Sequence, residues 1–261
     1  MASIPDARRG QGYGLPFGAT ERRDAWWLIP ALQALGLVVL IGYANFAAIL
    51  GPAHYRYVAE GRDYLSPFYS PYLHPSWLPA WLSPALLILI FPLGFRTTCY
   101  YYRKAYYRSF FADPYACAVG EGRSRGYRGE QKFPFILQNL HRYFLYAALV
   151  FLVILWADVV RAFIIGGRFG AGLGSFAILA STGTLTLYTF SCHSLRHLIG
   201  GKLDCFSCAV AGGPRQGAWG IVSALNEHHM GWAWVSLVSV CFADLYVRLC
   251  SMGLWHDPRL F

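Results

Sequence analysis

The sequence predicts an all-α membrane protein, a bundle of five transmembrane helices with its N-terminus in the cytoplasm and its C-terminus outside. Three observations point there. Hydrophobic residues make up 56 % and charged residues 13 % of the 261 residues, too apolar for an ordinary soluble domain. Five stretches poor in charge, residues 28–50, 79–101, 134–157, 171–193 and 227–250, each come near the ~20 residues that cross a bilayer core. Lysine and arginine gather in alternate loops, as the positive-inside bias requires.

Residues 1–27 read as a cytoplasmic N-terminal segment and residues 28–261 as the anchor domain. The stretch Met1–Arg23 is polar and glycine-rich and lacks the apolar core and small-residue cleavage site of a signal peptide, so the first span is expected to be retained. The second span begins in Pro75-Ser-Trp-Leu-Pro79-Ala-Trp-Leu-Ser-Pro84 and carries Pro92. Prolines are tolerated where the first helical amides have no partner, and Pro92 predicts a kink. The run Cys99-Tyr-Tyr-Tyr-Arg-Lys-Ala-Tyr-Tyr-Arg108 then continues helix two out of the membrane as an interfacial, snorkelling segment, with a docking surface or the rim of a quinone pocket as its functional reading. The third span runs into Asp158 and on towards Arg161, and the fifth contains Asp244 one turn before Arg248. Carboxylates inside a bundle should be neutral, hydrogen-bonded or paired, and these arginines are the expected partners.

Arg8, Arg9, Arg22 and Arg23 precede span one. Between spans two and three lie Arg103, Lys104, Arg108, Arg123, Arg125, Arg128 and Lys132, and between four and five Arg196, Lys202 and Arg215. The opposite loops offer Arg56, Arg62 and Arg168. Trp26, Trp27, Trp77, Trp81 and Trp255 sit near span ends, where an aromatic belt belongs. The net charge of +9 is thereby accounted for by the membrane edge and anionic lipid, and no nucleic-acid partner is expected. The connection over residues 103–133 is long enough to suit contact with a partner.

Five of the eight histidines and five of the seven cysteines fall on the predicted cytoplasmic side: Cys99, Cys117, His141, Cys192, His193, His197, Cys205, Cys208, His228 and His229. Cysteines facing a reducing compartment argue against a disulfide framework and for thiols or metal ligands. His193 and His197 share a helical face, with Cys192 turned about 100° from His193 and Gly200-Gly201 as the helix stop. Adjacent helices alternate direction, so the ends of two and four meet the starts of three and five at one depth. Cys99, His141, Cys192 or His193, and His228 or His229 can converge there into a metal or cofactor site. A b-type haem needs two facing histidines, and a Rieske-type [2Fe–2S] cluster needs two thiolates and two imidazoles. Cys205-x-x-Cys208 is half a zinc site without a second pair, and Cys241 and Cys250 read as small hydrophobes.

At these residues the sequence resembles a known family. Cys99-Tyr-Tyr-Tyr-Arg-Lys-Ala-Tyr-Tyr-Arg, Asn139-Leu-His-Arg-Tyr-Phe144, Ser191-Cys-His-Ser-Leu-Arg-His197 with Gly200-Gly201, and His229-Met are similar to the single-chain membrane anchor subunits of succinate dehydrogenase of the actinobacterial type. Gly12-Tyr-Gly-Leu-Pro16 and Trp26-Trp-Leu-Ile-Pro30 extend the resemblance along nearly the whole chain. It implies a five-helix subunit of respiratory complex II in the cell inner membrane, holding a flavoprotein and an iron–sulfur protein and passing electrons to a membrane quinone. Diheme anchors carry histidines on helices one and two, and the first two spans here have none. The branch resembled is associated with a membrane-embedded Rieske-like cluster. Its ligand candidates here are Cys99, Cys117, His141, Cys192, His193 and His229, with haem b as the alternative centre. For the quinone head group the candidates are Tyr101, Arg103 and Trp232. A b-haem anchor of another respiratory oxidoreductase and a proton or metal transporter are the rival readings.

Overall fold

Inside a bilayer every backbone amide needs an internal partner, so apolar runs of this length have to become helices. They do so in a computed structural model that describes residues 16–49, 54–73, 75–79, 82–112, 115–120, 131–133 and 135–260. Arg8, Arg9, Trp81, Arg123, Arg125 and Arg128 of the sequence reading lie outside the described residues, as does most of the N-terminal segment.

Four helices are long and apolar enough to cross a membrane: α1 (Leu28–Ile49), α4 (His141–Ala162, entered by a 3-10 turn from Phe135), α5 (Leu173–Phe190) and α8 (His229–Ser251). The second predicted span differs. Instead of one helix over 79–101, α2 covers only Ala85–Thr97, and α3 (Tyr100–Phe110) leaves it at 80°. Pro79 and Pro84 deny the early start, because each removes an amide and pushes the preceding residue out of the helical region. The sharp bend sits at Thr98–Cys99, where Cys99 is extended with ψ 131°, so α3 turns away rather than continuing α2 outward. Its buried face carries Tyr102, Arg103 and Ala105 and packs against α1 and α8.

Helix α8 is the central column, flanked by α5, which also packs on α4. Small and hydroxylated residues such as Gly174, Ser175, Ala177, Ser181 and Thr182 line the buried face of α5, which lets the backbones approach closely. Between α2 and α4 the approach is closer still: a Cβ on Gly94 would lie 2.3 Å from the Phe144 ring. Helix α1 is peripheral, with Leu35, Val38, Val39 and Phe46 exposed along its length.

The two ends of the bundle are built differently. At one end, the cysteine face, residues 18–22 lie along the loop after α3 through Gly18 and Gly120 and through Thr20 and Ala118. Beyond α5 the short α6 (His193–Arg196) and a π-turn (His197–Gly201) lead to α7 (Gly212–Glu227), a helix that the sequence reading left as loop. Arg196 lies over the Trp219 ring and bonds Ser223, which ties α7 beneath α5. In the intervening loop Cys205 and Cys208 form a disulfide, correcting their reading as thiols or half a metal site; the turn brings their Cα atoms within 5.4 Å, inside bridging range.

At the other end, the hairpin face, β1 (Arg56–Ala59) pairs with β2 (Arg62–Leu65) and β3 (Ile164–Ile165) with β4 (Arg168–Phe169). The hairpins meet tip to tip. Gly166 donates its amide to the Gly61 carbonyl at 3.0 Å, and Gly61, at φ +79°, has no room for a Cβ beside Gly166. Beyond α8, fully buried Asp257 gathers this face together. It pairs with Arg62 at 3.0 Å and accepts hydrogen bonds from Tyr246 at 2.6 Å, Tyr64 at 3.0 Å and the Gly174 amide at 2.7 Å. The last contact places a carboxylate at the N-terminus of α5, the favourable end of its dipole.

The two aspartates within the spans are partnered as expected. Asp244 takes Arg248 at 2.8 Å, Tyr43 at 2.5 Å and Ser66, and Arg248 also reaches the Ala47 carbonyl of α1. Asp158 takes Ser70 and, more loosely, Arg161 at 3.4 Å. Asp257→Ala is expected to cost the solubilised protein about 3–5 kcal/mol, because it leaves the buried Arg62 guanidinium only the exposed Glu60 and strips Tyr64, Tyr246 and the Gly174 amide of their acceptor. Arg161→Ala, on a side chain 70 % exposed, should cost less than about 1 kcal/mol. Thermal melts of the two variants in one detergent compare them, and equal shifts would contradict the assignment.

Candidate redox centre at the cysteine face

Four of the six sequence candidates come together where the helices end. Cys99 stands at the α2–α3 break, Cys192 just beyond α5, His141 at the first residue of α4 and His229 at the first residue of α8. Cys99 Sγ lies 3.5 Å from His229 Nε2, and Cys192 Sγ lies 3.2 Å from His141 Nε2. Cys99, Cys192 and His229 are each no more than 2 % exposed. The predicted convergence of four helix ends at one depth is therefore present, with Cys192 rather than His193 contributed from the α5 end.

His193 and Cys117 stand apart. Helix α5 stops at Phe190, and Cys192 adopts extended geometry as the cap of α6, which turns its thiol inward and leaves His193 exposed. Cys117 is exposed in the loop after α3, where its carbonyl accepts from Arg22 at 2.9 Å. His197 lies 3.5 Å from Arg142, and His228 is exposed.

Two hydroxyls missed in the sequence reading set the chemistry. Thr98 donates its only proton to the Gly94 carbonyl at 2.7 Å, and His141 Nδ1 lies 3.0 Å from the same oxygen. Ser191 donates to the Tyr188 carbonyl at 2.9 Å, and His229 Nδ1 lies 2.6 Å from its oxygen. A hydroxyl whose proton is committed can only accept, so each Nδ1 must carry the hydrogen. The lone pair of each neutral imidazole is thereby placed on Nε2, the atom that faces a cysteine sulfur. Flat aromatic packing holds the rings: Phe95 stacks on His141 at 4.7 Å and Tyr188 on His229 at 5.1 Å. A visible signal existed, since both cysteines directly follow a hydroxyl residue, in Thr98-Cys99 and Ser191-Cys192.

Among the described residues no three His, Cys, Asp or Glu side chains come close enough to hold a single metal ion. The donor set instead suits a two-iron centre, which asks for two protein ligands per iron: two thiols and two imidazoles, buried and pre-oriented. The quinone candidates lie close by. Tyr101 packs on His229 at 5.1 Å, Arg103 is buried against the rings of Tyr100 and Phe135, and the Trp232 indole N–H is buried without a hydrogen-bond partner among the described residues.

A family model described as actinobacterial succinate dehydrogenase subunit SdhC matches residues 28–253. The chain belongs to that family. It is a membrane anchor subunit of succinate dehydrogenase and a multi-pass membrane protein. A chain of the solved Mycobacterium smegmatis Sdh1 complex in the apo form is similar to it, at 39 % identity and a TM-score of 0.82, over 100 % of this chain and 96 % of that one. No curated protein matches.

Within this anchor burial pushes the Cys192 thiol up to about 11, so the metal-free site holds it protonated at neutral pH. At pH 8 iodoacetamide should label Cys117 in metal-free anchor while sparing Cys192 until the pH nears 11 or the fold is lost. Peptide mapping reads both, and prompt labelling of Cys192 at pH 8 would contradict the burial.

Proposed function

We propose that this anchor docks the flavoprotein and iron–sulfur subunits of succinate dehydrogenase at the cytoplasmic face of the inner membrane. On this reading it relays their electrons to a membrane quinone through one Rieske-like [2Fe–2S] centre on Cys99, Cys192, His141 and His229. The observation that carries the reading is the paired presentation of Nε2 lone pairs towards two buried thiols, each fixed by a hydroxyl with no proton left to give. The neighbouring Sdh1 complex, 39 % identical, supports the partners.

Charge supports the orientation. Arg22, Arg23, Arg103, Lys104, Arg108, Lys132, Arg196, Lys202 and Arg215 lie at the cysteine face, against Arg56, Arg62, Arg161, Arg168 and Arg259 at the hairpin face. The positive-inside bias puts the cysteine face in the cytoplasm. The same basic surface suits docking of soluble subunits.

A [2Fe–2S] centre, when bound, would supply one-electron transfer; Cys99 and Cys192 would hold it as thiolates, and His141 and His229 as neutral imidazoles through Nε2. Thr98 and Ser191 hold the ring orientation and the tautomer. The burial of Cys99, Cys192 and His229 keeps water from three of the four ligands. Succinate and flavin chemistry resides in the partner subunits, so the anchor alone should not oxidise succinate. A b-type haem suits these residues less, because each Nε2 faces a thiol and Phe95 and Tyr188 lie flat against the imidazoles.

Electron paramagnetic resonance of the dithionite-reduced complex should give a Rieske-like signal that disappears in His141→Ala and His229→Ala. A low-spin haem signal in its place sinks the proposal. Thr98→Val and Ser191→Ala keep all four ligands but remove the Nδ1 acceptors. They should weaken metal retention on the order of 10–100-fold, measured as iron bound per anchor during chelator challenge.

A further inference from the structure

A disulfide is out of place at the cysteine face. The basic loops assign that face to the cytoplasm, where thiols are kept reduced and a disulfide is ordinarily transient, catalytic or redox-sensing. Cys205 and Cys208 are nevertheless bridged there, with Cys208 exposed and Cys205 half-buried in the loop before α7. Cys99, Cys117 and Cys192 at the same face are free, and Cys99 and Cys192 are buried.

The loop favours exchange in one direction. Cys208 is the more exposed of the pair, so an incoming thiolate meets it first and Cys205 becomes the leaving group. Cys205 Sγ accepts the Cys208 amide at 3.2 Å and faces the Ser207 hydroxyl at 3.2 Å. A bridged sulfur has no proton to give, so both contacts are donated to it. Donors in place around a departing thiolate make it a better leaving group, and exchange is then faster.

The same turn seats α7. Phe206, between the two cysteines, packs its ring on Trp219 with 6.1 Å between centroids. Its carbonyl takes the Ala209 amide and comes so near Gly212, the first residue of α7, that a Cβ there would lie 1.7 Å away. At the last turn of α7, Asn226 donates to the Ser191 carbonyl at 2.6 Å. Ser191 is the hydroxyl that meets His229 Nδ1, and α7 leads through His228 directly into His229. A single 16-residue helix therefore runs from the disulfide to two parts of the Cys/His set.

We propose that the Cys205–Cys208 pair is a thiol–disulfide exchange site for a cytosolic dithiol, and that α7 carries its state to the Cys/His set. The inference rests on the cytoplasmic placement of the cysteine face and on the proposed centre. A donor thiolate attacks Cys208 Sγ, the bond between the two sulfurs breaks, and Cys205 leaves as a thiolate that takes a proton. The donor's second thiol gives up its proton, attacks the donor sulfur of the mixed disulfide and releases Cys208. Two electrons and two protons pass to the protein, the donor departs as a disulfide, and the same exchange run backwards restores the bridge. Bridged, the turn holds Phe206 against Trp219 and fixes the start of α7. Opened, it lets α7 unwind from Gly212, and the hold of Asn226 on Ser191 weakens.

The test uses the complete purified complex with dithiothreitol as the dithiol. Without denaturant, dithiothreitol followed by a maleimide should label Cys205 and Cys208 together and spare Cys99 and Cys192, as read by peptide mapping. Reduction should speed two processes by roughly 3- to 15-fold, the upper value set by the closure entropy of so short a ring. One is tryptic cleavage after Arg215 in the first turn of α7; the other is decay of the Rieske-like signal under chelator. The double variant Cys205→Ser/Cys208→Ser should show the fast rates with or without dithiothreitol. Reduction of a soluble dye, which draws electrons from the partner subunits, reports its assembly. A bridge that resists dithiothreitol in the folded complex, or a reduced pair that leaves either rate unchanged, would overturn the inference alone. Absence of any Rieske-like signal would overturn the proposed centre and the coupling with it. After reduction, a membrane-impermeant maleimide should label the pair in inside-out vesicles; labelling in spheroplasts instead would overturn both the exchange site and the orientation.

Discussion

Two hydroxyl protons govern the chemistry of the cysteine face. Thr98 and Ser191 each spend their single proton on a carbonyl of the helix that precedes them. From that one commitment follow the tautomers of His141 and His229 and the direction of both Nε2 lone pairs. The hydroxyls act where the chain is leaving a helix: the Gly94 carbonyl takes both the amide and the hydroxyl of Thr98, and the Tyr188 carbonyl takes the hydroxyl of Ser191 in the last turn of α5.

Much of this could be read from the sequence, and the limits have physical causes. Five apolar runs, the alternation of basic loops and the meeting of Cys99, His141, Cys192 and His229 all follow from length, charge and helix direction, which are additive along the chain. The break at Thr98–Cys99 does not, since its 80° turn depends on what α3 packs against rather than on Pro92, the residue that marks a kink by composition. Helical phase leaves Cys192 and His193 as alternatives, because phase carries no information once the helix stops at Phe190 and Cys192 is extended. Helix α7 was hidden by Gly212, Gly213 and Pro214, which read as turn when they in fact open a helix.

The two ends of the bundle solve the problem of buried polarity in contrasting ways. At the hairpin face charges are paired at close range: Asp257 with Arg62, Asp244 with Arg248. At the cysteine face the buried donors are soft and neutral, and they face one another at sulfur–nitrogen separations of 3.2 and 3.5 Å. The first arrangement locks helices and leaves little for a ligand to gain. The second leaves coordination capacity unspent, which is what distinguishes a site from a brace. Helix α8 joins the two, carrying His229 at one end and Asp244 and Arg248 towards the other.

The Asp257 knot also imposes an order on biosynthesis. Arg62 and Tyr64 are made before three of the four long helices, whereas their carboxylate partner follows α8. Chains are delivered to the membrane N-terminus first, so the first hairpin is made with Arg62 paired only to the exposed Glu60, and its buried partner arrives after the last long helix. The bundle is latched from its late-made end, and a nascent chain halted before that point holds its helices with the Asp257 clasp open.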